Sequence, residues 1–156
     1  VAKKLIFVLK YQPYVSDIQH ILVDLFYESL IQKELFTKNL HNAVFIPIPL
    51  SAKKLKLRGY NQSLLLAKGL AKKMNIPLAD ILIRTKNTKP QFGLSKLERK
   101  INMKDAFALK KRTKREYETA FLVDDVLTTG TTLSEAAKIL KQHGFQKVWG
   151  VTFARD

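Results

Sequence analysis

The 156-residue sequence predicts an α/β fold with a mostly parallel, doubly wound sheet flanked by helices. Two features point there. Short apolar runs rich in β-formers alternate along the chain with segments of helical spacing, the order expected of strands joined by crossover helices. In addition, one run, FLVDD at 121–125, passes through a tight TTGTT turn into the best-signalled helix of the chain. The length suits one domain, 1–156, with an N-terminal helical part over 1–42 and a basic loop region over 86–118.

Val1 is not an initiator methionine and VAKKLIFVLKY carries no signal-peptide cleavage site, so the expectation is a processed chain or a fragment. From Ser16, a candidate N-cap, the spacing turns helical, with Ile18, Ile21, Leu22, Leu25 and Phe26 on one face. AVFIPIPL (43–50) reads as a strand whose end is marked by Pro47 and Pro49, because a central strand cannot spare their missing N–H donors. Leu64, Leu65, Ala67, Leu70 and Ala71 give a second helix, stopped by Asn75 and Pro77. ILIRT (81–85) reads as a buried strand, and a short helix is expected around 95–103. After FLVDD, Thr132 and Glu135 have the spacing of a capping box, Leu133, Ala136, Ala137 and Leu140 line one helix face, and Gly144 ends it. KVWGVTFA (147–154) closes the chain as a strand.

Composition excludes several classes. With 46% apolar and 26% charged residues the chain is globular rather than disordered. It has no run of 18 apolar residues, hence no spanning helix. The absence of cysteine excludes disulfides, thiolate catalysis and cysteine-ligated zinc, and fits a cytoplasmic location. The net charge of +15 calls for an anionic partner, and it is unevenly spread. Residues 1–50 carry +1, residues 119–156 carry zero, and residues 51–118 carry +14. That pattern favours basic loops on a folded scaffold over a charged tail, with a merely solvated surface as the alternative.

FLVDDVLTTGTT, 121–132, carries the chemistry. Its apolar run delivers Asp124 and Asp125 to the C-terminal end of a strand, the edge where open α/β sheets bind ligands. Gly130 lets the backbone turn against a ligand, Thr128, Thr129, Thr131 and Thr132 supply hydroxyls, and a helix N-terminus follows with free N–H groups. A ribose 5-phosphate fits this specification: phosphate in the loop, sugar hydroxyls on the carboxylates. A Walker B strand is excluded for want of a GxxxxGK[ST] loop. A plain turn with a helix cap stays open for TTGTT taken by itself.

The segment resembles the thirteen-residue phosphoribosyl pyrophosphate (PRPP) signature of type I phosphoribosyltransferases. Two further runs narrow the resemblance to the ComF family, associated with DNA uptake in natural competence. One is RGYNQ (58–62) after IPIPLSAKKLK; the other is RTKNTKPQFGLSKLERKINMKDAF (84–107), through Arg84, Thr85, Thr88, Gln91, Leu94, Arg99, Asn102, Ala106 and Phe107. The likeness is good over 43–156 and loose before that. It implies a type I phosphoribosyltransferase-like fold.

The resemblance also implies roles. Asp124 and Asp125 would hold the ribose hydroxyls, directly or through Mg²⁺, and would be catalytic together with Arg84. Thr128, Thr129, Gly130, Thr131 and Thr132 would wrap the 5′-phosphate. Ser51, Ala52, Lys53, Arg58 and Arg99 would meet the pyrophosphate, with Lys86 and Lys89 as further candidates in a mobile loop. Lys110, Lys111, Arg112, Lys114 and Arg115 are candidates for nucleic-acid backbone contact, and Tyr60, Phe92 and Tyr117 for base stacking. The implied activity is a pentosyl (glycosyl) transfer from PRPP with Mg²⁺, and the implied partners are single-stranded DNA and a competence translocase or helicase. The alternative is a non-enzymatic DNA-binding or assembly module that keeps the PRPP pocket as a sensor or anchor. ComF members commonly begin with a four-cysteine zinc domain; this cysteine-free chain is expected to hold no zinc, its module lost or truncated.

Overall fold

The computed structural model describes residues 16–86, 95–110 and 116–155. Its centre is a three-stranded parallel sheet in the order β1 (Ala43–Pro47), β4 (Thr119–Leu127), β5 (Lys147–Arg155). Phe45 pairs with Phe121, which pairs with Trp149, fixing the register across all three strands. On its other side Phe45 bridges in parallel to Leu78. Around the sheet lie α1 (Ser16–Ile31), α2 (Glu34–Thr37), α3 (Ala52–Arg58), α4 (Gln62–Met74), α5 (Lys96–Met103) and α6 (Thr131–Gln142).

Strand pleating explains why both faces need helices. Successive side chains point to opposite faces, so a wholly apolar strand must be covered twice. Ala43, Phe45, Phe121, Val123 and Val151 face one core with Leu22, Val23, Phe26 and Leu30 of α1 and Leu66, Ala67 and Leu70 of α4. The alternate residues Val44, Ile46, Ala120 and Leu122 face the other, with Ala136 and Leu140 of α6, Met103 of α5 and Phe107. Phe36, Phe45 and Phe121 form one aromatic cluster, with the Phe36 and Phe121 ring centroids 4.6 Å apart. Each such side chain contributes roughly 1.5–3 kcal/mol on burial.

Several expectations change. Helix α1 buries Leu22, Val23, Phe26 and Leu30, whereas Ile21 is 54% and Leu25 49% exposed. Its contact with α4 turns the helix: Val23 packs directly over Gly69, where even a Cβ would come within 2.3 Å of the valine. In α4 Leu66 is fully buried while Leu64 and Leu65 are half-buried. ILIRT is no buried strand of the parallel sheet. Leu82–Arg84 forms β2, paired antiparallel with β3 (Phe107–Leu109) in a separate ribbon, and of its three residues Leu82 alone is buried. Nor does the capping box form at Thr132 and Glu135. The helix begins at Thr131 after Gly130 in the left-handed conformation, and Glu135 accepts instead from the Asp105 amide. A reciprocal box does form at the start of α5, where Ser95 and Glu98 exchange side-chain to backbone hydrogen bonds of 2.7 and 3.3 Å. Asn75 at the end of α4 behaves as read, in the left-handed conformation that stops a helix. Among the described residues no helix is long and apolar enough to cross a membrane.

Candidate functional site

The chain leaves the C-terminal ends of β1 and β4, neighbours at the centre of the sheet, in opposite directions. From β1 the chain runs through α4 on one face towards Leu78; from β4 it runs through α6 on the other face to β5. Such a switch point leaves a crevice beyond the strand ends. Here it is a polar pocket of about 190 Å³, lined by Ile48, Pro49 and Leu50 after β1, Lys54 and Arg58 of α3, and Gln62 and Ser63 of α4. Arg84 of β2, Asp124, Asp125 and Val126 of β4, and Thr128 and Thr132 of the following loop complete it.

Asp124 and Asp125 stand within β4, which continues to Leu127. Asp124 Oδ1 accepts from Ser63 Oγ at 3.0 Å and from the Asp125 amide at 2.9 Å. Asp125, 6% exposed, accepts from the Val126 amide at 2.9 Å and from Gln62 Nε2 at 3.4 Å. Burial pushes the Asp124 carboxyl up to about 7 and the neighbouring Asp125 charge adds to the effect, while the hydrogen bonds from Ser63 and the Asp125 amide act the other way. Arg84 lies across the pocket, its guanidinium 5.7 Å from the Phe107 ring centre and beside Met103 Sδ. Burial lowers the Arg84 pKa, and the charge of Asp124 opposes that. Cations and carboxylates therefore line the same small space.

The loop after β4 meets α6 at Gly130, whose φ of 75° is the left-handed conformation that glycine adopts without strain. No side chain caps this helix. Thr129 and Thr131 hydroxyls lie 2.9 Å apart, and Thr128 and Thr132 line the pocket. This is the geometry of an anion receptor: uncapped amides with hydroxyls around them.

Of the sequence-predicted residues, the structure brings Asp124, Asp125, Arg84, Arg58, Thr128 and Thr132 to one pocket. Ser51 is buried as the N-cap of α3, accepting from the Lys54 amide at 3.4 Å. Ala52 and Lys53 are exposed beside it, and Lys54 is the lysine that lines the pocket. Lys86 donates to the Lys104 carbonyl at 2.8 Å, and Lys110 pairs with Asp80 at 2.7 Å. Tyr60 lines a neighbouring groove, its phenol pKa raised by burial against the opposing charge of Arg58; Tyr117 packs on the second core. Lys89, Phe92, Lys111, Arg112, Lys114 and Arg115 lie outside the described residues, as does the Arg99 side chain. Lys54, Gln62 and Ser63 are the polar pocket residues to which sequence reasoning gave no role. The last two were signalled: they share the buried stripe of α4 with Leu66, Ala67 and Leu70, and polar side chains on an inward stripe need partners.

Comparisons with known proteins bear on the family and the fold. The phosphoribosyl transferase domain family matches residues 60–156. Competence protein F of Haemophilus influenzae is 42% identical over 113 residues, covering 70% of this chain and 49% of that protein. Competence protein ComFC of Bacillus subtilis is 38% identical over 101 residues, covering 65% of this chain and 39% of that protein. The chain thus spans about half the length, or less, of these curated relatives. The solved structure of the allosteric regulatory enzyme of purine biosynthesis superposes with a TM-score of 0.55 at 18% identity, over 87% of this chain and 26% of that one, a likeness of fold. The chain belongs to the phosphoribosyl transferase domain family, in its ComF branch.

Proposed function

We propose that the chain binds PRPP with Mg²⁺ at the pocket between β1 and β4 and acts as the phosphoribosyltransferase-type unit of a protein that handles single-stranded DNA. One observation carries the reading. Asp124 and Asp125 share a single pocket with Lys54, Arg58 and Arg84 and with the threonine loop at the start of α6. A sugar phosphate that also bears a diphosphate is the complement of this distribution of acceptors and charges.

The 5′-phosphate takes the amides and hydroxyls of residues 128–132, and the ribose hydroxyls donate to the carboxylates. The diphosphate lies towards Lys54, Arg58 and Arg84, its charge met by guanidinium groups suited to bidentate contact. In transfer, the bond from the anomeric carbon to the diphosphate breaks while a nitrogen acceptor bonds to that carbon, which passes through an oxocarbenium-like state. The cationic wall stabilises the charge that develops on the leaving diphosphate. The residues fit Mg²⁺ as well: two adjacent carboxylates with no imidazole or thiolate form an oxygen donor set of the kind that holds this ion together with substrate phosphates. When bound, the ion adds Lewis-acid stabilisation of the leaving group.

Calorimetry with PRPP and Mg²⁺ tests binding. The expected result is saturable binding lost by about 100-fold or more in Asp124→Asn/Asp125→Asn; no binding at millimolar ligand, or binding unchanged in the variant, overturns it. Pyrophosphate release across a panel of nitrogen bases tests turnover. The second reading is a DNA module in which the pocket is a sensor, favoured by the +14 carried on residues 51–118, of which the pocket takes up Lys54, Arg58 and Arg84. Binding to single-stranded DNA that weakens steeply with salt supports it, and salt-insensitive or absent binding removes it.

A further inference from the structure

We propose that Gln62 and Ser63, the first two residues of α4, are positioning residues that aim the Asp124 and Asp125 carboxylates into the pocket. The inference rests on the reading of those carboxylates as ligand-binding. Both side chains are buried, Gln62 being 3% and Ser63 1% exposed, and each reaches one carboxylate across about sixty residues of chain. Buried polar side chains on the core stripe of a helix are costly unless their hydrogen bonds are made. Here the bonds run to the two acids that the pocket presents.

Charge determines the direction of each bond. Gln62 stands between a cation and an anion: Arg58 donates to its Oε1 at 3.3 Å, and its Nε2 donates to Asp125. The opposite amide orientation would set two donors against each other on one side and two acceptors on the other, so the flanking charges hold the amide in place. Ser63 Oγ and the Asp125 amide both bind Asp124 Oδ1, which fixes the plane of that carboxylate and determines where its other oxygen points.

The helix is held in turn. Asn61 accepts from the Ser63 amide at 3.1 Å and donates to the Ile48 carbonyl at 3.0 Å, joining the start of α4 to the loop after β1. The turn at 58–62 therefore sets both sides of the pocket: Ile48 through Asn61, and the two acids through Gln62 and Ser63. Arg58, expected from the sequence as a pyrophosphate contact, also orients Gln62.

The test combines PRPP–Mg²⁺ calorimetry with ligand-free crystal structures of Ser63→Ala, Ser63→Thr and Gln62→Met. Ser63→Ala and Gln62→Met, which remove a donor without adding bulk, are expected to weaken binding about tenfold, with Asp124 or Asp125 turned from its present orientation. Ser63→Thr, which keeps the hydroxyl, is expected to recover most of the affinity. A purely structural Ser63 would not be rescued by the hydroxyl in this way. Wild-type affinity in both donor-free variants, with the acids unmoved, overturns the proposal, as does a Ser63→Thr variant that folds and binds no better than Ser63→Ala. If the wild-type protein binds no PRPP, the reading of the function fails, and the ligand-free structures alone decide the positioning: acids displaced in Ser63→Ala support it, acids unmoved overturn it.

Discussion

Two helices point their N-termini at the same pocket, and they are built differently. Helix α4 begins with an asparagine cap whose side chain accepts from the Ser63 amide, and its first two side chains bind the acids of β4. Helix α6 begins after Gly130, which has no side chain to cap it, and its first turn is surrounded by threonines. A helix start whose donors are satisfied by the protein is a tether, whereas one left uncapped beside hydroxyls receives an anion. On the proposed reading the pocket uses both: a fixed pair of carboxylates for the sugar, and a helix start without a side-chain cap for the phosphate.

The largest expected effect comes from erasing that difference. Gly130→Asp sets a carboxylate beside the start of α6, where the phosphate would sit. A Cβ at Gly130 meets only Leu127 Cδ1 at 3.6 Å, and aspartate tolerates the left-handed backbone better than most residues, so the fold should survive. PRPP affinity by calorimetry is expected to fall about 100-fold, with a smaller loss for Gly130→Asn, which has the shape without the charge. Equal losses in the two variants would mean that conformation rather than charge is at work.

The carboxylate side responds to pH. Asp124 rises from an ordinary value of 3.8 to about 7, so the folded state holds more protons than the unfolded chain between those values. Stability should therefore fall as pH rises from about 4 to about 7 and level off above, and Asp124→Asn should flatten that fall. Denaturant melts at several pH values measure it; a slope unchanged in Asp124→Asn would remove Asp124 as the source.

The smallest effect is on the tether. Asn61→Ala removes the cap of α4 and the bond to Ile48, at a cost of about 1 kcal/mol, or about 2–4 °C in Tm. Its cost should appear in the melting curve before it appears in ligand affinity.

Much of this architecture was legible in the sequence because the signals are local. FLVDD, the glycine turn and the start of the helix after it are contiguous, so strand, carboxylates and threonine turn could be read from twelve residues. Most of the failures share a cause, a partner far away in the chain, whereas the capping box was decided by the backbone beside it. Helix α1 has apolar residues on two overlapping stripes, and Gly69 of α4 selects the one that contains Val23. The β2–β3 ribbon pairs Leu82 with Leu109, and three-residue strands carry no period of their own. Thr132–Glu135 and Ser95–Glu98 have the same capping spacing, and the left-handed Gly130 sets the register that denies the first. Gln62 and Ser63 could be seen as polar residues on an apolar stripe, but only the fold shows which acids they face.

The direct test of the central claim is a crystal structure with PRPP and Mg²⁺ or, failing that, with ribose 5-phosphate. The predicted result is a phosphate seated on residues 128–132 at the start of α6, with ribose hydroxyls against Asp124 and Asp125. A ligand bound elsewhere, or a pocket still without ligand density at saturating concentration, would contradict it.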